Sequence, residues 1–333
     1  MSISTIDLVI VARQILIYGG LILILLGMFS SSMVFLIFIQ RPLNQNPCSV
    51  YIIVNAALSF LFLPLYYLPN IMTFGFQINW LALNTPFCKF QMSYGAFTVA
   101  SVFVMNCFIS FDRYAISSRS VRIRSMSSKK NARILIVIGL LLTWCLIGMP
   151  VAILFENIPL GPSGPYFCTS KSNLFLLFAA LAFFPILEGV LPIVLAIYFW
   201  FITRKQIRTL NNQEFVQRFD KQISRMYLFQ IITNAIASFP FAAINLYRSL
   251  TIQVIRTQDA ENIVQFLRLI AIWLFYIQYC TDCYIYLITS NEFRGQFTKI
   301  FVSLLRNRKN RVTPIQTHAL TIPNTNKINK ITI

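Results

Sequence analysis

The chain has 333 residues, of which 57% are hydrophobic and only 11% are charged. A soluble domain carries roughly a quarter charged residues to solvate its surface, so this composition excludes an ordinary soluble globule and favours several membrane spans. The formal net charge of +18 does not indicate a nucleic-acid partner, because the basic residues fall in short segments between apolar runs rather than along one helix face.

Seven apolar runs follow one another along the chain, and each is long enough to cross about 30 Å of hydrocarbon as a helix. We number them span one to span seven: Gln14–Ile39, Ser49–Phe74, Cys88–Phe111, Ile134–Leu154, Asn173–Thr203, Met226–Tyr247 and Ile263–Ile288. The first run is longer than the apolar region of a secretory signal, which has about 7–15 residues, and no small-residue cleavage site follows it. The pattern therefore predicts an all-α membrane protein in which residues 14–290 form a seven-transmembrane helix bundle.

The distribution of Lys and Arg predicts how this bundle is oriented. Most basic residues lie in the segments that follow spans one, three, five and seven, and the other side carries only Arg13, Lys89, Lys171, Arg248, Arg256 and Arg268. Positive charge is retained on the cytoplasmic side of a membrane. We therefore expect a multi-pass protein of the plasma membrane with residues 1–13 extracellular and the C-terminus cytoplasmic.

Two further segments follow the bundle. Residues 291–305 place apolar side chains at helical spacing, with basic residues on the opposite side, which predicts a short amphipathic helix on the inner membrane surface. Residues 306–333 are rich in Asn, Thr and Lys and are expected to form a disordered cytoplasmic tail.

Ionisable residues near a membrane core are costly, so each one indicates a function or a specific partner. They are few here: Asp112 and Arg113 at the end of span three, Glu188 in span five and Asp282 in span seven. In the sequence Asp112-Arg113-Tyr114, an arginine at the end of a bundle helix could hold an acid of a neighbouring helix and form a bistable switch. The alternative is an interfacial arginine that reaches toward lipid phosphates.

The seven cysteines predict one disulfide and no metal site. Cys88 precedes Arg113 by 25 residues, and Cys168 falls in the second outside loop, where an oxidising environment permits a bridge between them. The other five cysteines lie in or beside spans, and the single histidine, His318, lies in the tail. Zinc binding and Cys–His or Ser–His catalysis inside the membrane are therefore not expected, and we predict neither an enzyme nor a bound cofactor.

With the Asp112-Arg113-Tyr114 sequence and the cysteine pair in a seven-span chain, the sequence resembles the rhodopsin-like (class A) family of G-protein-coupled receptors from Gly27 to Leu305. Further matching positions are Trp144, Pro150, Pro192 and Pro240. The resemblance implies an extracellular ligand, heterotrimeric G protein as the cytoplasmic partner, and helix kinks at Pro192 and Pro240. Residues 218–226, with Phe229-Gln230, also look like invertebrate orphan receptors, notably those expanded in rotifers.

The family's switch residues carry over with departures. Asp220 lies twenty residues before Pro240, and the resemblance implies a latch between Arg113 and Asp220 that joins spans three and six. The span-seven motif Asn-Pro-x-x-Tyr corresponds to residues 282–286, which keep the terminal Tyr286 but begin with Asp282-Cys283. The family's usual span-two acid and span-six tryptophan are replaced by Ser59 and Ser238, and span one has three serines, residues 30–32, where an asparagine is usual. Sodium modulation and the usual tryptophan toggle are therefore in doubt.

The ligand class follows mainly by exclusion. No lysine lies between Lys221 and Lys299 to hold retinal. Receptors of this family that bind amines resemble each other in a span-three aspartate that anchors the amine, and Gly95 occupies that position here. A peptide or chemosensory ligand remains open. Candidate pocket residues are Tyr94, Glu188, Phe241 and Tyr276.

These pocket residues also have structural interpretations. Glu188 could meet a cationic ligand group, pair with Arg248 or Arg268, or serve as a hydrogen-bonded structural carboxyl, and aromatic rings are ordinary in span packing. The competing function is a seven-span transporter or channel, which predicts a path of charged groups through the membrane. Only Glu188 and Asp282 are candidates for such a path.

Overall fold

The computed structural model describes residues 5–41, 43–78, 80–118, 120–159, 166–178, 194, 197–198, 201, 214–251, 254 and 256–311. Most of predicted span five therefore lies outside the described residues, and Glu188 and Pro192 lie there as well. Asp220 belongs to a described helix, but side chains in that helix are described only from Arg225 onward.

Six helices in the described part of the chain are long and apolar enough to cross a membrane. They are Thr5–Ile39, Pro47–Gly75, Thr85–Ile116, Lys129–Leu154, Arg225–Leu250 and Gln258–Ile277, and they correspond to predicted spans one, two, three, four, six and seven. The prediction of an all-α membrane bundle is confirmed. Span one differs from the prediction at its start, because the helix begins at Thr5 and takes in most of the segment expected to precede the membrane.

Other helix ends also differ from the sequence-based boundaries. The span-three helix ends at Ser117, and the span-six helix runs from Glu214 to Leu250 with Pro240 inside it. Span seven is broken, since its first helix ends at Ile277 and a second covers Asp282–Thr289. The helix after the bundle is Asn291–Arg311, longer than the predicted 291–305.

Side-chain caps fix where several of these helices begin, because they bind backbone N–H groups that have no partner within the helix. The capping residues are Asn46 for span two, Asn84 for span three, Ser128 for span four and Thr257 for span seven. Spans two and three also carry Pro in the first turn, where its missing N–H costs nothing.

Wide π-helical turns interrupt three of the spans. They cover Ile15–Gly19, Leu63–Tyr67, Ile71–Gly75 and Trp144–Gly148. Two of the four, Leu63–Tyr67 and Trp144–Gly148, are followed within two residues by a proline, Pro69 and Pro150. A proline lacks the N–H of the regular ladder and its ring crowds the preceding turn, so local widening is the expected response.

The described helices pack side by side. Span one contacts spans two and seven, span three contacts spans two and four, and span six contacts span seven. Large apolar side chains such as Leu25, Leu146 and Phe239 remain exposed on the outer surface of the bundle, which suits a protein surrounded by lipid.

Two hydrophobic clusters occupy opposite ends of the bundle. We call these ends the Arg113 end and the Cys88 end. The cluster at the Arg113 end is built around Phe38, Ile109 and Tyr286, and the cluster at the Cys88 end is built around Tyr67 and Tyr276. Between them lie buried polar side chains of four spans, Ser30, Ser59, Gln230 and Asp282.

A two-stranded antiparallel hairpin follows span four, and the sequence pattern does not predict it. Strand β1 is Phe155–Pro159 and strand β2 is Tyr166–Ser170, with Asn157 opposite Cys168. Short helical segments connect other elements: Leu43–Gln45, Trp80–Leu83, Val121–Met126 and Asn173–Phe178.

Candidate functional site

The hairpin is joined to the start of span three by the disulfide Cys88–Cys168, so the predicted pairing is confirmed. Next to it, Glu156 of β1 lies 2.5 Å from Lys171 and 3.6 Å from Lys89. The hydrogen bond from Lys171 is the main cause that lowers the pKa of Glu156 below its ordinary value. The disulfide and the contact of Glu156 with Lys89 therefore hold the connection between spans four and five against span three, and the contact of Glu156 with Lys171 lies within that connection.

At the opposite end, Arg113 and Asp112 form a buried pair. Arg113 Nη2 lies 3.0 Å from Asp112 Oδ2, and both side chains are about 5% exposed. The same guanidinium donates to Asn46 Oδ1 at 2.7 Å, and the hydroxyl of Ser127 donates to Asp112 Oδ1 at 2.5 Å. Span three is thus connected at this end to the start of span two and to the segment before span four.

Two other predicted switch residues are Tyr114, which follows this pair in the chain, and Asp220, which belongs to the span-six helix. Tyr114 is half-buried, with its ring centroid 6.3 Å from that of Phe111. The side chain of Asp220, and with it the predicted latch to Arg113, lies outside the described side chains. Asn46 and Ser127 were not predicted as partners, since no sequence pattern relates these loop residues to span three.

In the middle of the bundle, Gln230 of span six binds both predicted switch residues of span seven. Its Nε2 donates to Asp282 Oδ1 at 2.8 Å, and its Oε1 accepts from the hydroxyl of Tyr286 at 2.6 Å. Gln230, Asp282 and Tyr286 are 1%, 8% and 2% exposed, so these bonds are shielded from solvent. We refer to these three residues as the glutamine bridge.

Local structure positions each member of the glutamine bridge. Asp282 lies in the first turn of the second span-seven helix, where a carboxylate suits the positive end of the helix dipole. The ring of Tyr286 packs edge-on against Phe38 and Phe293. One turn before Gln230, the hydroxyl of Tyr227 donates to the backbone carbonyl of Asn106 in span three. Span six is therefore held to spans three and seven by adjacent polar contacts.

Gln230 and Tyr227 were not singled out for this role from the sequence. A glutamine within the apolar run of span six is a usable signal, since polar groups inside a membrane need partners. The sequence could not show, however, that its partners lie on span seven.

Three of the four candidate pocket residues belong to an aromatic region near the Cys88 end. Phe241 contacts Phe275 with ring centroids 4.7 Å apart, and Tyr94 stacks on Phe90 at 5.7 Å. Tyr276 is buried, stacks on Tyr67 and accepts a hydrogen bond from Asn70 at 3.0 Å. Glu188, the fourth, lies outside the described residues.

The position of the usual amine anchor is filled by a neighbouring ring. A Cβ atom added at Gly95 would stand 2.1 Å from Tyr66 Cε2. Span three therefore carries no side chain here because span two supplies one in the same space. The packing agrees with the absence of an aspartate anchor.

Comparison with known proteins identifies one family. A sequence model described as "7 transmembrane receptor (rhodopsin family)" matches residues 30–286, which include the disulfide, the Asp112–Arg113 pair and the glutamine bridge. No curated protein matches the chain.

Proposed function

Because the chain belongs to the rhodopsin family of seven-transmembrane receptors, we propose that it is a plasma-membrane receptor that transmits binding of an extracellular ligand to heterotrimeric G proteins. The Cys88 end faces outside, an orientation supported by the disulfide, which forms in oxidising compartments. The Arg113 end faces the cytoplasm, as the basic segments near it favour.

The glutamine bridge is the observation that carries this proposal. A receptor needs two packings of its helix bundle that differ by only a few kcal/mol, so that a ligand can shift the balance between them. Two buried hydrogen bonds between spans six and seven contribute a free energy of that magnitude to one of the two packings. When ligand and G protein both favour the packing in which this contact is released, each strengthens binding of the other.

Arg113 belongs to the same switch. In the packing described here it binds Asp112 and Asn46, and the family resemblance adds Asp220 of span six as a further partner. Movement of the inner end of span six away from span three would then expose the surface that G protein binds. The basic second and third inner loops form the rest of that surface, and they also attract anionic lipid.

We extend the proposal to the ligand and the lineage. A peptide or chemosensory ligand fits the absence of a retinal lysine and of an amine anchor. The likeness of residues 218–226, with Phe229-Gln230, to invertebrate orphan receptors supports the proposed lineage. A transporter or channel would need a path of charged groups across the bundle. Among the described residues the buried carboxylates are Asp112, at one end, and Asp282, which is bound by Gln230.

The Asp220→Ala variant tests the switch. Full-length receptor is expressed in cells with a panel of the main Gα classes, and G-protein activation is measured without added ligand at matched surface expression. Basal activation is expected to rise severalfold, because Arg113 loses a partner that holds span six. Glu214→Ala, which removes an acid at the start of the same helix, is the matched control and is expected to leave basal activation unchanged. Equal basal activity in both variants and the wild type, for every Gα class, would contradict the latch.

A further inference from the structure

Three arginines meet where spans six and seven approach the Cys88 end. Arg256 is bound, with Nη1 2.9 Å from Glu261 Oε2 and a further hydrogen bond to Thr251. Arg248 and Arg268 are half-buried, and neither forms an ion pair or a hydrogen bond with any described residue. Half-buried guanidinium groups without such partners are costly for a fold, because each keeps five N–H donors to satisfy.

Arg268 points into the bundle. It lies on the buried face of its helix, four residues after Val264 and three before Ala271. Its guanidinium stands over the ring of Phe74, 5.0 Å from the centroid. Since Phe74 belongs to span two, the side chain of Arg268 reaches across the interior rather than toward lipid.

Arg248 lies at the same depth. The contact between Phe241 and Phe275, with centroids 4.7 Å apart, fixes the relative height of spans six and seven. Arg248 follows Phe241 by seven residues and Arg268 precedes Phe275 by seven residues. The two helices are antiparallel, so each arginine stands about 10 Å above that contact, toward the Cys88 end.

The local charge is unbalanced. The charge of Arg268 interacts with those of Arg248 and Glu261, and that of Arg248 interacts with Glu261 and Arg256. Within the described residues, three guanidinium groups therefore share the carboxylate of Glu261, which already binds Arg256 at 2.9 Å. A planar guanidinium fork matches the two oxygens of a carboxylate or phosphate.

We propose that Arg248 and Arg268 bind a carboxylate or phosphate group of the receptor's ligand, and that the apolar part of that ligand packs on Phe241 and Phe275. The ligand is then an acid with an aromatic or aliphatic body. This inference rests on the proposed receptor function and names the ligand class. It also explains why a chain with no amine anchor at Gly95 keeps two arginines at this depth.

The test uses purified full-length receptor in nanodiscs of phosphatidylcholine, with the unfolding midpoint measured against probe concentration. Two matched pairs of probes separate the sources of the anionic group. Lysophosphatidic acid is compared with the corresponding monoacylglycerol, and a hydrophobic tetrapeptide acid is compared with its C-terminal amide. At least one anion is expected to raise the midpoint at concentrations where its neutral partner has no effect.

Variants then assign the effect to the arginines. Arg248→Gln and Arg268→Gln should each weaken the apparent affinity for that anion by roughly tenfold to a hundredfold, the range of a hydrogen bond to a charged group. Arg268→Lys should keep part of the affinity. Glu261→Gln should strengthen binding by removing a competing carboxylate. Arg41→Gln, at the Arg113 end, is the control and should bind as the wild type does.

Two results would overturn the proposal. One is that neither anion differs from its neutral partner, and the other is that the anion effect persists when both arginines are replaced. A Glu188→Gln variant that loses stability together with Arg268→Gln, without any anion effect, would assign the arginines to an internal ion pair. Basal G-protein activation of the double variant is measured in parallel. Intact basal activation with no anion binding rejects this site alone, whereas failure of the wild type to activate any G protein rejects the receptor function.

Discussion

Replacing Gln230 by Leu removes both bonds of the glutamine bridge while keeping a side chain of similar volume. Gln230 donates to a carboxylate at 2.8 Å and accepts from a phenol at 2.6 Å. A buried hydrogen bond to a charged group contributes about 1.5–3 kcal/mol and a neutral one about 0.5–1.5 kcal/mol. The substitution should therefore destabilise this packing of spans six and seven by roughly 2–4 kcal/mol relative to one in which they separate.

A shift of about 3 kcal/mol changes an equilibrium constant by roughly 150-fold. If one receptor in ten thousand adopts the active packing without ligand, this shift brings the active fraction to about one in a hundred. Gln230→Leu should therefore raise basal G-protein activation strongly and lower the unfolding midpoint of the purified receptor. Both quantities are measured on receptor at matched surface expression and in the same lipid.

Asn234→Leu is the matched control, because Asn234 lies one turn away on span six and its side-chain oxygen accepts no hydrogen bond from the described residues. It should change neither quantity by more than a small fraction of the Gln230→Leu effect. Adding Tyr286→Phe to Gln230→Leu should add little to the effect of Gln230→Leu alone, because the bond that Tyr286→Phe removes is already lost. Unchanged basal activity in Gln230→Leu, or additive effects with Tyr286→Phe, would refute the bridge as a constraint on activation.

Three further predictions concern packing at the Cys88 end and its hairpin. Cys88→Ser and Cys168→Ser should cause equal losses of surface expression and the double variant no greater loss, whereas clearly additive losses would argue against a functional bridge. Because the folded-state pKa of Glu156 is lowered, its ionic contacts stabilise the fold above the unfolded pKa of about 4.3 and are lost as pH falls through the folded value. The small midpoint difference between wild type and Glu156→Gln at pH 6 should thus shrink as the pH is lowered through that folded value, and a difference that does not change with falling pH would contradict the pairing. Gly95→Ala should destabilise the receptor by about 1–3 kcal/mol through overpacking, whereas Gly295→Ala, with nothing within 4 Å of the added Cβ, should not. Equal midpoints for these two glycine variants would contradict the close packing.

Hydrophobic run length was sufficient to predict the membrane bundle, because a helix that crosses hydrocarbon needs about 20 apolar residues whatever its neighbours are. It was less informative at helix ends. The first helix begins at Thr5 even though Asp7 and Arg13 interrupt the apolar pattern, since helical backbone geometry also tolerates polar residues at the membrane surface. The hairpin at 155–170 was missed because two five-residue strands around a Gly-Pro segment carry no distinctive alternation.

Residues of the candidate site could be identified from the sequence where their position within a single span or loop is enough to single them out. The disulfide followed from which cysteines fall outside the membrane, and Asp282 and Tyr286 followed from their spacing in one motif. Contacts between spans were not predictable, because they depend on how neighbouring helices are rotated and shifted along their axes. The pairing of Gln230 with span seven and of Arg113 with Asn46 belongs to this class.

Two departures from the family pattern compensate each other in the structure. Cys283 stands where the family motif has proline, so this chain keeps a backbone N–H at a break in span seven. A buried N–H without a partner is costly, and here it donates to the hydroxyl of Ser30 at 3.1 Å. Ser30 belongs to the serine run that replaces the usual span-one asparagine. The helix nonetheless breaks between Ile277 and Asp282, and Asp282 at the new helix start faces Gln230. With Cys283 and Ser30 in place of the usual residues, span seven is still interrupted, and the hydrogen bond between them satisfies the backbone at the break. The acid at the break, Asp282, is bound by Gln230 of span six.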